Sequence, residues 1–173
     1  MKRLVVLFLL LLAPVGAEDR KAIEDYFRLV SSLNANWAQE VKTYQDAMNV
    51  QNGLTNFKRN KNLTALQETA QANLARLREA TVPGSARPLA ERWVAIWEMK
   101  SRLYTTGIEM VKALANVQAT VDKPERRKAV DAVMRLLTSS QKQSEQVAKD
   151  ATSAAKDTQT FLKDKGIDPT LFE

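Results

Sequence analysis

Apolar side chains recur at seven-residue intervals along much of this chain, with few interruptions. Ile23, Val30, Trp37 and Tyr44 form one row, and Phe27, Asn34, Val41 and Met48 form a companion row with Tyr26 and Leu33 beside it. That spacing returns side chains to one stripe of an α-helix and suits the seam between packed helices. A β-strand, whose faces alternate at every second residue, gives a different pattern, and alternating β-branched runs are absent.

The interruptions divide the chain into segments. The first helix runs from about residue 19 to 50 and ends at Asn52-Gly53, where glycine accepts the left-handed conformation of a helix stop. Leu54 and Phe57 suit an extra turn, after which Asn62 is the expected cap of a helix carrying Leu63, Leu66, Ala70, Leu74 and Leu77. Thr81-Val82-Pro83-Gly84-Ser85 is a turn cluster, and Pro88 falls in the first turn of the next helix, where a missing N–H costs little. That third helix, about 86 to 121, carries Leu89, Trp93, Ile96, Trp97, Leu103, Tyr104, Gly107, Met110, Val111, Leu114 and Val117 on one stripe. Asp122-Lys123-Pro124-Glu125 resembles a capping box, and the fourth helix reaches Lys165 with Gly166 as its stop. It holds about 40 residues and spans about 60 Å. Four long amphipathic helices with three short breaks imply an all-α fold, an elongated up-down-up-down antiparallel four-helix bundle with coiled-coil-like seams. The alternative is an elongated helical hairpin that dimerises into a bundle.

The fourth helix changes character midway. Val130, Val133, Met134, Leu136 and Leu137 read as a core row. Beyond Ser139 the seam becomes small and polar, through Gln141, Ser144, Val147, Ala148, Ala151, Ala154, Ala155 and Thr158. Lys142, Lys149, Lys156 and Lys163 repeat at sevens, and Asp150, Asp157 and Asp164 follow the last three, which reads as a solvated face.

Residues 1–17 read as a cleavable secretory signal peptide. Lys2 and Arg3 supply positive charge, Leu4 to Ala13 an unbroken apolar run, and Val15-Gly16-Ala17 a small-residue exit, with cleavage between Ala17 and Glu18. The apolar stretch, ~10–14 residues, falls short of the ~17–25 that a membrane-spanning helix needs. The expected organisation is a signal peptide at 1–17, a bundle at 18–166 and a tail at 167–173. The expected location is exported, periplasmic or secreted, with no stable transmembrane segment after cleavage. In the tail, Ile167 is expected to pack back after the Gly166 stop, and Leu171 and Phe172 to dock on the bundle or a partner.

The sequence contains neither Cys nor His. A Ser-His-Asp or Cys-His nucleophile, a Cys/His zinc site, a C-x-x-C-H haem attachment and the Glu-x-x-His pairs of di-iron bundles are thereby excluded. No clustered carboxylates point to another metal site, so no catalytic residue, metal or cofactor is assigned. Of 26 basic and 20 acidic side chains, Lys2 and Arg3 leave with the signal, so 24 face 20 and the mature charge is +4. That is far from the dense basic stripe of a nucleic-acid binder.

In an up-down bundle the first and third connections share an end. Lys58, Arg59 and Lys61 flank one, and Lys123, Arg126, Arg127 and Lys128 flank the other; Asp122 and Glu125 are the nearby acids. Seven basic against two acidic residues give this end a local +5, more than the mature net charge. A positive pole of that kind suits anionic headgroups, cell-wall polymer or an acidic protein. Trp37, Trp93 and Trp97 fall at similar heights, with Tyr104 along the same stripes; the four suit core filling or, as an alternative, a pocket for an apolar ligand. Lys100, near the seam, is expected to snorkel outward along its stem, and Asn34 to set register.

Leu63-Thr64-Ala65-Leu66-Gln67 resembles the L-T-x-x-Q element of the Spy-type periplasmic chaperones, which are exported, helical and basic. The resemblance covers five residues of 173, in one copy where that family carries two. It implies ATP-independent chaperone-like activity as a further alternative. Four long helices with short turns differ from that family's cradle-shaped dimers. The function expected from the residues is therefore a non-catalytic exported bundle that binds or scaffolds a cell-envelope protein or anionic envelope surface through its basic end. The sequence leaves the oligomeric state open.

Overall fold

The computed structural model describes the backbone of residues 17–50 and 56–172, and the side chains of 19–43 and 61–172. Among these residues the chain forms α1 (Ala17–Val50), α2 (Asn56–Glu79), a 3-10 turn (Gly84–Ala86), α3 (Arg87–Ala119), α4 (Lys123–Asp164) and a closing 3-10 turn (Pro169–Phe172), with no strand. The expected signal peptide, up to residue 16, lies outside the described residues, and Ala17 is the first residue of α1.

The helix stops follow local chemistry. Asp122 caps α4, its Oδ2 accepting from the Glu125 backbone N–H at 3.3 Å, and Pro124 sits in the first turn, where no intrahelical donor is lost. At the other end Gly166 takes φ +67°. The Ile167 N–H then reaches back to the Leu162 carbonyl at 2.8 Å, and the Gly166 N–H to Lys163 at 3.0 Å. This pattern satisfies carbonyls that a helix end leaves open and folds the following chain onto the helix. One expected boundary is corrected. Asn62 is not a cap, because α2 already begins at Asn56 and runs through it.

Side-chain pairs fix the topology. Leu63 meets Gly107 at 3.5 Å and Arg78 pairs with Glu98 at 2.6 Å, so α2 and α3 are antiparallel. Trp93 donates to Thr158 at 3.1 Å and Thr106 to Gln143 at 3.2 Å, so α3 and α4 are antiparallel too. Tyr26 faces Ala90 and Asn34 faces Lys100, so α1 runs parallel to α3. The result is the up-down-up-down four-helix arrangement. One chain supplies all four helices, where the alternative of a dimerising hairpin needed two.

Burial concentrates toward one end. Ile23, Phe27, Val30, Trp97 and Leu162 are each fully buried, with Trp93 and Ile167 at 2% exposure. The closing turn wedges between α1 and α4: Phe172 packs on Phe27 with ring centroids 6.1 Å apart and on Trp93 at 5.3 Å. Phe27 also reaches Phe161 on α4 at 6.0 Å. Arg20 on α1 donates to the Gly166 carbonyl, tying the first helix to the final turn. Thr170 donates its backbone N–H to Asp168 Oδ1 at 2.9 Å, and this bond holds the Asp168 carboxyl below the usual carboxylate range.

The opposite end is looser. Val130, Met134 and Leu137 were expected as core, yet they are 41%, 55% and 37% exposed. Val133 and Leu136 are half-buried, because this stretch of α4 turns one stripe toward α3 and leaves the adjacent stripe without a neighbour among the described residues. The expected small, polar seam is covered only further along, at Val147, Ala154 and Thr158, while Lys142, Lys149, Lys156 and Lys163 all face solvent. No helix of the described residues is long and apolar enough to cross a membrane.

Candidate functional site: a buried lysine layer and an open basic end

Two features stand apart from ordinary core packing. The first is Lys100. Its place on the apolar stripe of α3, one turn from Trp97 and Tyr104, aims its side chain inward at α1. It is 3% exposed, so the expected outward path of its stem is not taken. The amine lies 4.1 Å from the ring centroid of Trp37 and 3.9 Å from that of Trp97, and it donates to Asn34 Oδ1 at 3.0 Å. Two indole faces thus sandwich it, and one neutral amide oxygen anchors it.

Aromatic faces attract a cation through their negative quadrupole. They do not replace the hydration an ammonium loses on burial, so desolvation pushes the Lys100 pKa down to about 7. No ion pair to a carboxylate accompanies it among the described residues. The indole N–H groups of Trp37 and Trp97 are buried and also lack a hydrogen-bond partner there. A single layer therefore gathers an amine near its titration point and two unsatisfied donors, a costly combination in an apolar interior. Asn34 stood out in the sequence as a polar residue on a seam, but its partner came from another helix and was not identified. Burial of Lys100 depends on rings from both α1 and α3, and spacing along one segment does not show that.

Trp37, Trp93, Trp97 and Tyr104, the candidate pocket residues, pack against neighbouring rings. Trp37 meets Trp97 at 6.2 Å in an edge-on contact and Tyr104 at 6.4 Å, while Trp93 turns to Phe172 and Thr158. A cleft of about 410 Å³ opens elsewhere, on the surface beside Tyr26, Leu77 and Val94.

The second feature is the end where α3 finishes. The antiparallel pairings place the start of α2 and the start of α4 there together. Lys61, Lys123, Arg126, Arg127 and Lys128 are exposed. Lys58 and Arg59 lie in the first turn of α2, with side chains outside the described residues. Among the described residues only Lys128 has an ion-pair partner at this end, Glu125 at 2.7 Å. Helix N-termini carry partial positive charge and favour acids. Yet the first turn of α2 holds no acid and that of α4 holds only Glu125. At α2 the fixed charges therefore add to the backbone dipole, while at α4 Asp122 and Glu125 offset Lys123 and Arg126, and Arg127 and Lys128 carry the excess. Val121, at the tip, is 94% exposed in the midst of this charge.

Among the described residues no three Asp or Glu side chains gather as a metal site would require. Compared with known proteins, the chain matches no family model, no curated protein and no solved structure.

Proposed function

We propose that this protein is an exported, non-catalytic helical bundle that binds a cell-envelope protein or an anionic envelope surface through its basic end. The observation that carries this reading is the coincidence of two helix N-termini at one end, where Lys and Arg outnumber acids seven to two although the backbone dipole favours acids. Each such charge in a first turn costs roughly 0.3–1 kcal/mol when it opposes the dipole. Charge placed at a cost to folding is the pattern expected of a surface kept for binding. The signal-like residues 1–17 support the envelope as the compartment.

The test of binding is charge reversal of Arg126, Arg127 and Lys128 to Glu in the full chain. Wild-type protein is expected to sediment with envelope fractions at low salt and to be released at high salt, and the triple variant to stay in solution at both. Binding that neither salt nor charge reversal changes would overturn the reading. Export is tested separately by the intact mass of protein recovered from a secreting host, expected to begin at Glu18.

A further inference from the structure

The exposed apolar row on α4 belongs to a continuous seam. Following the helix in steps of seven from Val130 gives Leu137, Ser144, Ala151 and Thr158, and from Met134 gives Gln141, Ala148, Ala155 and Leu162. The far ends of both rows are fully buried, Thr158 and Leu162 at 0% exposure. There α3 and the closing turn cover them, with Trp93 reaching Thr158. The near ends carry larger apolar side chains and are open. A seven-residue register is the register of helix-on-helix packing, so the open half has the form of a helix-binding seam that continues one already occupied.

Charge selects the occupant. Between residues 122 and 142, six basic residues face three acidic ones, a net +3. A second copy laid along this stretch would bring like charges together, which opposes self-pairing. A lipid surface imposes no seven-residue register, whereas the rows from Val130 and Met134 keep one. We propose that the open seam of α4, formed by Val130, Met134 and Leu137 with Arg126 and Arg127 at its rim, receives an amphipathic helix of a partner protein whose apolar stripe is flanked by Asp and Glu. This deepens the reading of the basic end and rests on it: the charges steer the partner and the apolar row holds it.

The test uses the full chain and two labelled synthetic helices of about four heptads, both with Leu at the seam positions, one flanked by Glu and one by Lys. The Glu-flanked helix is expected to bind, as read by fluorescence anisotropy, and the Lys-flanked one not to. A Met134→Glu, Leu137→Glu variant, with every basic residue intact, is expected to weaken binding at least about tenfold. Its melting temperature should match the wild type, since the row has no described neighbour. Equal binding of the Glu-flanked helix to variant and wild type overturns the seam. So does a Met134- and Leu137-dependent dimer in sedimentation, which assigns a second copy. Uptake by anionic vesicles with the same dependence assigns lipid instead. A large drop in melting temperature of the variant shows that other residues of the chain already fill the row. If charge reversal abolishes envelope binding while the seam variant keeps peptide affinity, the seam fails and the basic end stands. If neither set of changes matters, both fail.

Discussion

The two halves of α4 are one continuous helix with one register, yet they live in different surroundings. Residues 147–162 present Val147, Ala154, Thr158 and Leu162 to a dense interior. Residues 123–137 present bulkier apolar side chains and leave them half in water. Val147 and Leu162 match Val130 and Leu137 in size, and the covered half differs by the small Ala154 and Thr158 between them. The small residues of the covered half permit close approach of α3 and the closing turn, so Phe172 and Trp93 can fill the remaining space. The larger residues of the open half would suit a neighbour further away. The contrast shows that a seam is defined by its period, and that its occupancy is decided by which chain segment reaches it.

Lys100 lies at the level of the covered half, between the Trp93–Thr158 and Thr106–Gln143 pairs. The largest effect that sharpens the comparison is expected there. The amine is held at about 7 against an ordinary 10.5. Between those values the unfolded chain holds the extra proton, so stability rises with pH across the window and is lowest below about 7. A shift of this size corresponds to at most about 5 kcal/mol. Lys100→Met, which keeps the stem and removes the amine, is expected to stabilise the protein below pH 7 and to flatten the rise, as measured by denaturant unfolding at several pH values. Measurements should stop short of pH 10, because burial pushes the Tyr26 phenol up to about 12 and its contribution is lost as pH rises from 10 toward that value.

Next in size, Trp93→Ala in the covered half is expected to cost about 3–5 kcal/mol, since it opens a cavity beside Phe172 and leaves the Thr158 hydroxyl without its indole donor. A thermal melt little changed by this substitution would break the contrast. Gly166→Ala places a Cβ at φ +67°, although nothing lies within 4 Å of it. The expected loss is about 1 kcal/mol, from backbone strain alone, and it should loosen the closing turn, visible as faster amide exchange at Ile167. Smallest is Met134→Ala in the open half, expected to shift stability by under about 0.5 kcal/mol.

Much of the fold could be read from spacing. The Thr81–Ser85 cluster and Asp122 marked the breaks, and Gly166 foretold the return of Ile167, because each acts on its own stretch of backbone; the Asn52-Gly53 stop lies outside the described residues. Asn62 misled because a residue that can cap a helix is also tolerated inside one when upstream residues extend it. The open row on α4 misled for a different reason. Apolar periodicity states that a face wants covering and is silent on whether the chain itself covers it. Of the candidate site, the basic residues were legible because both sets flank breaks. The Lys100 layer was hidden because a lysine beside an apolar stripe normally reaches water, and only the rings of a second helix close that route.

The sandwich of Lys100 between Trp37 and Trp97 also gives the protein an optical reporter of its own charge state. Light absorbed by an indole moves electron density across the ring, and a full positive charge about 4 Å from two of the three indoles alters the energy of that movement. Gain or loss of one proton near neutrality should therefore change the ultraviolet emission of the intact chain, with no dye attached. Anything that pries α1 away from α3 would free the amine to hydrate and shift the midpoint of that change upward, so a simple titration of native emission would show whether occupancy of a distant surface reaches the interior.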